Sequence, residues 1–389
     1  MPTTLSRTGS GRAAKPIYRR VVVKAGSALL THGGDRVSDS VIDSLASQIA
    51  SLHAEGMEVV LVSSGATAAG RTAVAVPEKG LNVPIKQVLA AVGQGLLMHR
   101  YEQAFGGHDV RVAQALLTGH DLEGRLAYLN VRNTLLKLLE IGVVPIVNEN
   151  DVVNVEQLSE RAIGDNDTLS ALVANLVDAD LLVILGELNG LYTTDPHIDP
   201  SAEPIPEVTA IDDDILAMGG ESFAAGGVAV GYGGMAAKLQ AAKLVTASGT
   251  AAVMASGLEP DVLVRLAHGE RVGTYFAATG SHMESRKRWM LSDVGARGEV
   301  VVDEGAVTAL TTGKRSLLPA GITGVRGHFN RGDVVTVLTS SGDGIATGIA
   351  NYDSIDIDRI KGVRSSRIAE VLGHEYGEEV IHRSNLVRL

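Results

Sequence analysis

The sequence predicts an α/β fold, with a doubly wound and mostly parallel sheet, followed by a small β-barrel domain. Up to about residue 270, short β-branched runs alternate with amphipathic helical segments, which is typical of a parallel sheet covered by helices on both faces. Beyond residue 274, short β-runs separated by glycine turns replace that alternation. We therefore predict a disordered tail over residues 1–18, an α/β domain over 19–274, a linker over 275–297 and a β-rich domain over 298–389.

Bulk composition excludes several functional classes. A formal net charge of −11 gives no general affinity for nucleic acid or anionic membranes. The absence of cysteine rules out disulfides, iron–sulfur clusters and thiol nucleophiles. No apolar run approaches the ~20 residues that a membrane helix needs, so we expect a cytoplasmic protein. The histidines show no paired spacing, and a zinc site is not expected.

The first twenty residues are polar, basic and free of acidic side chains. They lack the apolar core of a secretory signal, and a disordered tail is the favoured interpretation. A transit peptide has the same Arg- and Ser-rich character and remains the alternative.

Hydrophobic periodicity gives the elements of the α/β domain in order. Strands are predicted at residues 20–24, 58–62, 110–116, 143–147, 179–185 and 251–255, and helices at 38–56, 84–105, 121–141, 169–177, 235–248 and 260–268. Two of these helices have clear apolar stripes, formed by Val41, Ile42, Leu45, Ile49 and Leu52 in the first and by Leu89, Val92, Leu96 and Leu97 in the second. We expect both stripes to be buried.

The sequence pattern of the β-rich domain is that of short strands. Its predicted strands cover residues 299–302, 321–324, 334–338 and 345–350, and a short helix is predicted at 368–372. Glycine turns between such short strands are typical of a small barrel or sandwich.

A lysine ends the first predicted strand, which is unusual because burying an ammonium group is costly. Lys24 is followed by a tight turn that contains Gly26 and Ser27. A Lys24 side chain that points into a cleft can meet a phosphate, whereas one exposed at the strand end has no special role. The second strand leads to Ser64 and Gly65, which suit an anion site, with helix capping as the alternative.

Two clusters of acidic and amide residues occur in the middle of the chain. The first, Asn148-Glu149-Asn150-Asp151, follows the predicted strand at 143–147. The second, Asp165-Asn166-Asp167, precedes the helix at 169–177, which Thr168 or Asp167 would cap. Ligands of open α/β sheets bind at the carboxyl ends of strands, and helix N-termini favour anions. Ordinary loop polarity with two capping residues is the alternative.

Two further strand ends carry glycine. Gly186-Glu187 follows the fifth strand, and the glycine-dense loop 226–234 leads to Met235 and Lys238. The chain has no Walker A sequence, and the Gly-x-Gly-x-x-Ala match at 231–236 lacks the acidic partner of a dinucleotide site. Lysines, carboxylates and glycine turns together suit phosphoryl transfer, in which charge on the oxygens is neutralised, Mg²⁺ is held and the groups are aligned.

Several longer motifs are specific to one enzyme family. They are Ser63-Ser64-Gly65-Ala66, Ala90-Ala91-Val92-Gly93-Gln94, Val147-Asn148-Glu149-Asn150-Asp151, Gly164-Asp165-Asn166-Asp167, Gly233-Gly234-Met235 with Lys238, Arg286-Lys287-Arg288-Trp289, and Ser316-Leu317-Leu318-Pro319-Ala320-Gly321-Ile322. On these motifs the chain resembles the glutamate 5-kinases, which have the amino acid kinase fold and a C-terminal PUA domain. The resemblance runs from about residue 20 to the C-terminus.

The resemblance implies an enzyme that phosphorylates the γ-carboxylate of L-glutamate with ATP and Mg²⁺, the first step of proline biosynthesis. It implies catalytic roles for Lys24, Lys238 and Asp167. It also implies glutamate binding by Ser64, Gly65, Asp151 and Asn166. Nucleotide binding would fall to Gly26, Ser27, Gly186, Glu187, Gly233, Gly234, Met235 and Lys238. No residue is assigned to a metal site made by the protein alone.

The resemblance also implies partners. Proline would inhibit by competing around the glutamate pocket, through the loop at 152–163. Members of the family are dimers or tetramers built on the kinase domain, and glutamyl phosphate reductase is a candidate partner. RNA binding by the PUA half is not expected, because that half is slightly acidic and poor in aromatic residues.

Three positions on the nucleotide side depart from the family pattern. Ala28, Gly186-Glu187 and Tyr232 stand where a hydroxyl residue, Ser/Thr-Asp and Thr are usual. We therefore expect preserved glutamate recognition and an altered affinity for ATP. Two other functions remain open: a sister kinase acting on acetylglutamate, aspartate, carbamate or a nucleotide, and a weakly active regulator with an RNA-binding PUA half.

Overall fold

The computed structural model describes residues 16–75, 83–153, 166–219, 234–280, 296–313 and 315–389. The strands of the α/β part are β1 (Arg20–Ala25), β2 (Glu58–Ser63), β3 (Arg111–Leu117), β4 (Val143–Glu149), β5 (Leu181–Gly186), β6 (Leu191–Tyr192), β7 (Pro204–Ile205), β8 (Glu207–Val208), β9 (Ala251–Ser256) and β10 (Thr274–Phe276). Its helices are α1 (Ser27–Thr31), α2 (Asp39–Ala54), α3 (Ala66–Arg71), α4 (Val83–Gly106), α5 (Gly119–Glu123), α6 (Arg125–Glu140), α7 (Asn166–Leu176), α8 (Asp213–Ala217), α9 (Met235–Ala247) and α10 (Val262–Ala267).

The main sheet has the strand order β3-β4-β2-β1-β5-β9-β10-β8. Its pairs from β3 to β9 are parallel, and β10 runs antiparallel to β9. The chain extends the sheet on one side of β1 as far as β3 and then returns to the other side with β5. Ligands of such sheets bind near the point where this reversal occurs. The predicted doubly wound, mostly parallel sheet is confirmed.

Both faces of the sheet are covered, since consecutive buried residues of β1 belong to different apolar cores. Val21 and Val23 face one apolar core, which α2, α3, α4 and α10 complete. Val22 faces a second core, completed by α6, α7 and α9. The stripe predicted for α2 is buried throughout. No helix among the described residues is both long and apolar enough to cross a membrane.

Helix α4 differs from the prediction in its buried face. Leu89 and Leu97 are buried, but Val92 and Leu96 are 40% and 39% exposed, so their predicted burial is wrong. The reason is a close crossing with α3 at Gly93 and Gly70, where an added Cβ would overlap backbone atoms of the other helix. This crossing turns the glycine side of α4 inwards, together with Leu89 and Leu97.

The helix predicted at 121–141 is also interrupted. Gly124 is extended (φ −76°, ψ 125°), so α5 ends there and α6 begins. Thr118 caps α5 through a reciprocal capping box with Asp121.

The C-terminal part folds around its own sheet. Its strands are β11 (Gly298–Val302), β12 (Ile322–Gly327), β13 (Val334–Leu338), β14 (Gly344–Ile349) and β15 (Leu386–Arg388), in the order β12-β11-β13-β14-β15. All pairs are antiparallel except β11 with β13. Three helices accompany them: α11 (Glu304–Thr311), α12 (Ser354–Ile360) and α13 (Ile368–Leu372). The sequence predicted α13 but not α11 or α12.

The two parts meet at an apolar cluster. Leu129 of α6 packs with Val334, Ile349 and Val387 of the C-terminal sheet. Leu129 and Ile349 are fully buried. Helix α6 of the α/β part therefore contacts the C-terminal sheet directly.

Candidate active site

Strand β1 ends in a buried ion pair. Lys24 is 2% exposed, and its Nζ lies 2.5 Å from Oδ1 of the fully buried Asp167. Asp167 and Thr168 lie inside α7, which begins at Asn166, so neither is the N-cap that the sequence suggested. Buried charges persist in proteins when they are paired. Of the two interpretations of Lys24, the structure supports the side chain that points inwards.

A cavity of ≈ 300 Å³ opens at the carboxyl ends of β1 and β5. Lys24 and Lys238 both line it, although 214 positions separate them in the sequence, since β1 and β5 are neighbours and α9 packs on β5. Besides Lys238, six of the predicted nucleotide-binding residues line the same cavity: Gly26, Ser27, Gly186, Glu187, Gly234 and Met235. Gly233 lies outside the described residues. Their roles stay predictions.

The cavity wall includes residues that the sequence did not single out. Its apolar side includes Leu191, Met218 and Met254, and its polar side includes Asp195 and His197. Such a combination suits the flat apolar base and polar phosphates of a nucleotide. Two of the departures from the family pattern, Ala28 and Gly186-Glu187, also face this cavity, whereas Tyr232 lies outside the described residues.

A second group of predicted residues meets beside Lys24. The side-chain amide Nδ2 of Asn166 lies 3.1 Å from Oγ of Ser64 and 3.1 Å from Oδ1 of Asn148. Ser64 and Asn148 are buried. Gly65 adopts a left-handed conformation (φ 97°) that favours glycine, at the turn between β2 and α3. Ser64, Gly65 and Asn166 therefore come together, as the predicted glutamate site requires.

Asp151, the fourth residue of the predicted glutamate site, lines a neighbouring cavity of ≈ 280 Å³. Gln94 and Glu149 line that cavity as well. Asn148 and Gln94 join the two regions, since Nδ2 of Asn148 donates to Oε1 of Gln94 at 2.7 Å. The sequence gave neither residue a role. The place of Asn148 in the acidic-amide cluster could have identified it as a site residue. Gln94 could not be identified in this way, because its inward direction follows from the packing of α4 against α3.

A buried hydrogen bond supports the wall behind Ser64. Ser63 Oγ lies 2.8 Å from the hydroxyl of Tyr101, which is fully buried. Burial raises the pKa of the Tyr101 phenol well above its usual value, and the hydrogen bond with Ser63 opposes this only in part. Tyr101 therefore stays neutral and holds the end of β2 against α4.

Among the described residues, no three His, Asp or Glu side chains form a group that could hold a metal ion by themselves. Glu187 and Asp195 do face the larger cavity. Mg²⁺ in phosphoryl-transfer enzymes usually takes one or two carboxylates, with substrate phosphates and water completing its ligands. This donor set fits a magnesium ion that enters with the nucleotide.

Comparison with known proteins identifies the family. The family model described as Amino acid kinase family matches residues 19–256, and that of the PUA domain matches residues 298–372. A relative named glutamate 5-kinase from Herpetosiphon aurantiacus is 50% identical over 373 residues, which cover 96% of this chain and 99% of the relative. The chain belongs to the glutamate 5-kinase family. Another relative of that name, from Dehalococcoides mccartyi, is 48% identical over 95% of this chain and 98% of its own.

Membership in the glutamate 5-kinase family confirms the resemblance found in the sequence. The fold class, the presence of a PUA domain and the kinase class of enzyme are confirmed with it. Among solved structures, UMP kinase from Bacillus anthracis aligns with 68% of this chain and 97% of its own, at 18% identity and a TM-score of 0.47.

Proposed function

We propose that this chain transfers the γ-phosphoryl group of ATP to the γ-carboxylate of L-glutamate, the first step of proline biosynthesis. A carboxylate oxygen forms a bond to the γ-phosphorus, the bond from that phosphorus to the β,γ-bridging oxygen breaks, and ADP leaves. The products are γ-glutamyl phosphate and ADP. The observation that carries the proposal is the buried Lys24, held by Asp167, in a cavity that Lys238 also lines.

The proposed chemistry needs charge neutralisation and alignment more than proton transfer. A glutamate side chain has a reference pKa of about 4.3, so the nucleophile is already ionised at neutral pH and needs no general base. The barrier comes from bringing anions together. Lys24 and Lys238 would stabilise the charge on the transferred group, and Asp167 would keep Lys24 in place. Mg²⁺ would supply further neutralisation through the phosphates, with Glu187 and Asp195 as its carboxylates.

Ser64, Gly65, Asn166 and Asp151 are proposed to bind glutamate. The hydrogen bond between Asn166 and Ser64 supports this, because it fixes two polar groups beside the lysine that would meet the γ-carboxylate. Asn166 begins α7, whose first turn also holds Asp167. One helix would therefore position both a substrate-binding residue and the partner of the catalytic lysine.

Regulation by proline is a further part of the proposal. Proline has the same α-carboxylate and α-ammonium groups as glutamate, so a site that binds this end of glutamate can also bind proline. Most of the loop expected to take part, 152–163, lies outside the described residues. Inhibition that is competitive with glutamate is the expected form.

We also propose a homodimer or homotetramer built on the kinase domain. Val88, Val92 and Leu96 stand four residues apart on α4 and are 52%, 40% and 39% exposed in the single chain. Apolar side chains at this spacing form one stripe along a helix, which supports a protein contact there. Glutamyl phosphate reductase, which would consume the product, is the proposed partner enzyme, and the cytoplasm, where both substrates occur, is the proposed location.

Trapping the acyl phosphate with hydroxylamine tests the reaction. Glutamate, N-acetylglutamate and aspartate are supplied separately with MgATP, and ADP release is followed in parallel with carbamate and nucleotide monophosphates. Hydroxamate formation with glutamate well above the other substrates is expected. Preference for another acceptor would assign a sister kinase, and activity with none would favour the regulatory function.

A further inference from the structure

A chain of hydrogen-bonded amides connects three elements beside the predicted glutamate site. Gln94 lies on α4, Asn148 near the end of β4 and Asn166 at the start of α7. Asn148 Nδ2 is 2.7 Å from Gln94 Oε1, and Asn166 Nδ2 is 3.1 Å from Asn148 Oδ1. Gln94 and Asn148 are 9% and 2% exposed. Burial makes each remaining polar atom of the chain costly unless it finds a partner.

One backbone group fixes the orientation of every amide in this chain. The N–H of Glu149 donates to Asn148 Oδ1 at 2.8 Å, and a backbone N–H can only donate. The other end of Asn148 is therefore Nδ2, a donor, so the Gln94 atom facing it must be the acceptor Oε1. For the same reason, the Asn166 atom facing Asn148 Oδ1 must be Nδ2.

Two atoms are left over by this assignment. Nε2 of Gln94, a donor, and Oδ1 of Asn166, an acceptor, are buried and have no hydrogen-bond partner among the described residues. Gln94 also lines the ≈ 280 Å³ cavity, next to Glu149 and Asp151. A donor and an acceptor that are both buried and both unused match a ligand with one acceptor group and one donor group.

An α-amino acid head group has this composition. Glu149 and Asp151 in the cavity attract its ammonium group, and its carboxylate, which can only accept, needs a hydrogen-bond donor. The side-chain amide of Gln94 is buried, neutral and oriented by Asn148. A hydrogen bond from an amide to a carboxylate is stronger than one between neutral groups.

We propose that Gln94 is a specificity residue, whose Nε2–H donates to the α-carboxylate of the amino-acid substrate. Asn166 Oδ1 accepts from the α-ammonium group of the same molecule. Gln94 thereby distinguishes α-amino acids from carboxylates that lack the α-carboxylate, such as 4-aminobutyrate. This inference rests on the proposed function, because it assigns one end of the substrate whose other end meets Lys24.

Gln94→Glu separates the two roles of this side chain. The variant keeps an oxygen that can accept from Asn148 Nδ2, but it replaces the free donor with an anionic oxygen. The KM for glutamate is expected to rise about tenfold or more, the effect of losing a hydrogen bond to a charged group. The kcat and the KM for MgATP are expected to stay within about twofold of wild type, because neither chemistry nor nucleotide touches Gln94.

The preference for glutamate over 4-aminobutyrate is a second measurement, and general damage to the fold would not change it. The ratio of kcat/KM for glutamate to that for 4-aminobutyrate is expected to be large in wild type and to fall about tenfold in Gln94→Glu and in Gln94→Met. Gln103→Glu, the same change at an exposed position of α4, should leave both the KM and the ratio as in wild type. Thermal unfolding of each variant checks that the fold is retained.

Each outcome either supports or overturns the role proposed for Gln94. Unchanged glutamate KM and unchanged preference in folded Gln94→Glu would overturn it. Should neither Gln94 variant fold, the wild-type enzyme still decides, because equal kcat/KM for glutamate and 4-aminobutyrate would overturn it and a large preference would support it. A wild-type enzyme that fails to phosphorylate glutamate would instead overturn the proposed function.

Discussion

Lys24 Nζ lies 2.5 Å from Asp167 Oδ1, and neither side chain is more than 3% exposed. This pair joins the end of β1 to the first turn of α7, across 143 positions of the sequence. It connects stability with activity, since the same contact keeps a buried charge neutralised and aims an ammonium group at the cavity. Removing one partner therefore affects both properties, and the two effects can be measured separately.

The effect on the free energy of unfolding is expected to depend on whether one or both residues of the Lys24–Asp167 pair are replaced. Lys24→Met should lower the free energy of unfolding by about 3–5 kcal/mol, because the buried Asp167 carboxylate loses the ammonium group of Lys24. The double variant Lys24→Met/Asp167→Leu should recover most of that loss, since both charges of the pair are removed together. Urea unfolding measures both, with Lys243→Met, an exposed lysine of α9, as the control. A double variant less stable than Lys24→Met would contradict this account of the pair.

Lys238 is expected to matter for the reaction more than for the fold. It is half-buried on α9 and lines the cavity, so Lys238→Ala removes charge from the proposed site of transfer. The kcat should fall about 10²–10³-fold, as when a donor to a developing anion is removed, while the KM for glutamate changes little. Steady-state kinetics beside Lys243→Ala check this. A variant with near-normal kcat would place Lys238 outside the reaction.

The nucleotide side should show a weakened affinity for MgATP. Ala28 and Gly186 line the cavity without the hydroxyl groups expected there, and Glu187 stands where Asp is expected. Ala28→Ser and Glu187→Asp, alone and together, are expected to lower the KM for MgATP at saturating glutamate. Glu203→Asp, an exposed position, serves as control. A sub-millimolar KM in the unchanged enzyme, within the ordinary range of enzymes, would exclude the weakened affinity.

Two glycines on α4 are expected to respond oppositely to the same substitution. A Cβ at Gly93 would overlap Ala66 O of α3, whereas a Cβ at Gly95 would meet nothing within 4 Å. Gly93→Ala should cost about 3 kcal/mol, because backbone atoms must separate. Gly95→Ala should be neutral or stabilise by up to about 1 kcal/mol, because alanine favours a helix. Chemical unfolding of both variants compares them directly, and equal stabilities would disprove the tight crossing.

The sequence predicted the fold correctly wherever apolar residues recur with a simple helical or strand period. The stripe of α2 and the doubly wound, mostly parallel sheet of an alternating α/β chain follow from local patterns, and both are confirmed. On α4 the pattern misled, because periodicity treats every apolar residue as inward-facing. Val92 and Leu96 face outwards because the close contact at Gly70 and Gly93 turns a neighbouring side of α4 towards α3.

Short capped helices in the C-terminal part were missed for a different reason. Asp303 and Asp353 cap α11 and α12 by accepting hydrogen bonds from Ala306 N and Asp356 N. Each helix spans two turns or so, too short for a hydrophobic period to stand out from neighbouring strands. The capping residues were visible in the sequence, but Asp before a polar residue is equally common in turns.

The sequence predicted which strand ends contribute residues to the candidate site. It did not predict the contacts between residues that are distant in the sequence. Lys24 was singled out because a lysine rarely ends a buried strand. Its pairing with Asp167, the shared cavity with Lys238 and the contact between Gln94 and Asn148 depend on how distant elements pack. None of these distances can be read from local sequence.

The most direct test compares glutamate hydroxamate formation, with saturating MgATP and glutamate, between wild type, Lys24→Ala and Lys243→Ala. Wild type and Lys243→Ala are expected to react at similar rates, with folded Lys24→Ala slower by about 10²-fold or more, because the buried ammonium is lost from the transferred phosphoryl group. A folded Lys24→Ala that forms the hydroxamate at close to the wild-type rate would contradict the central claim.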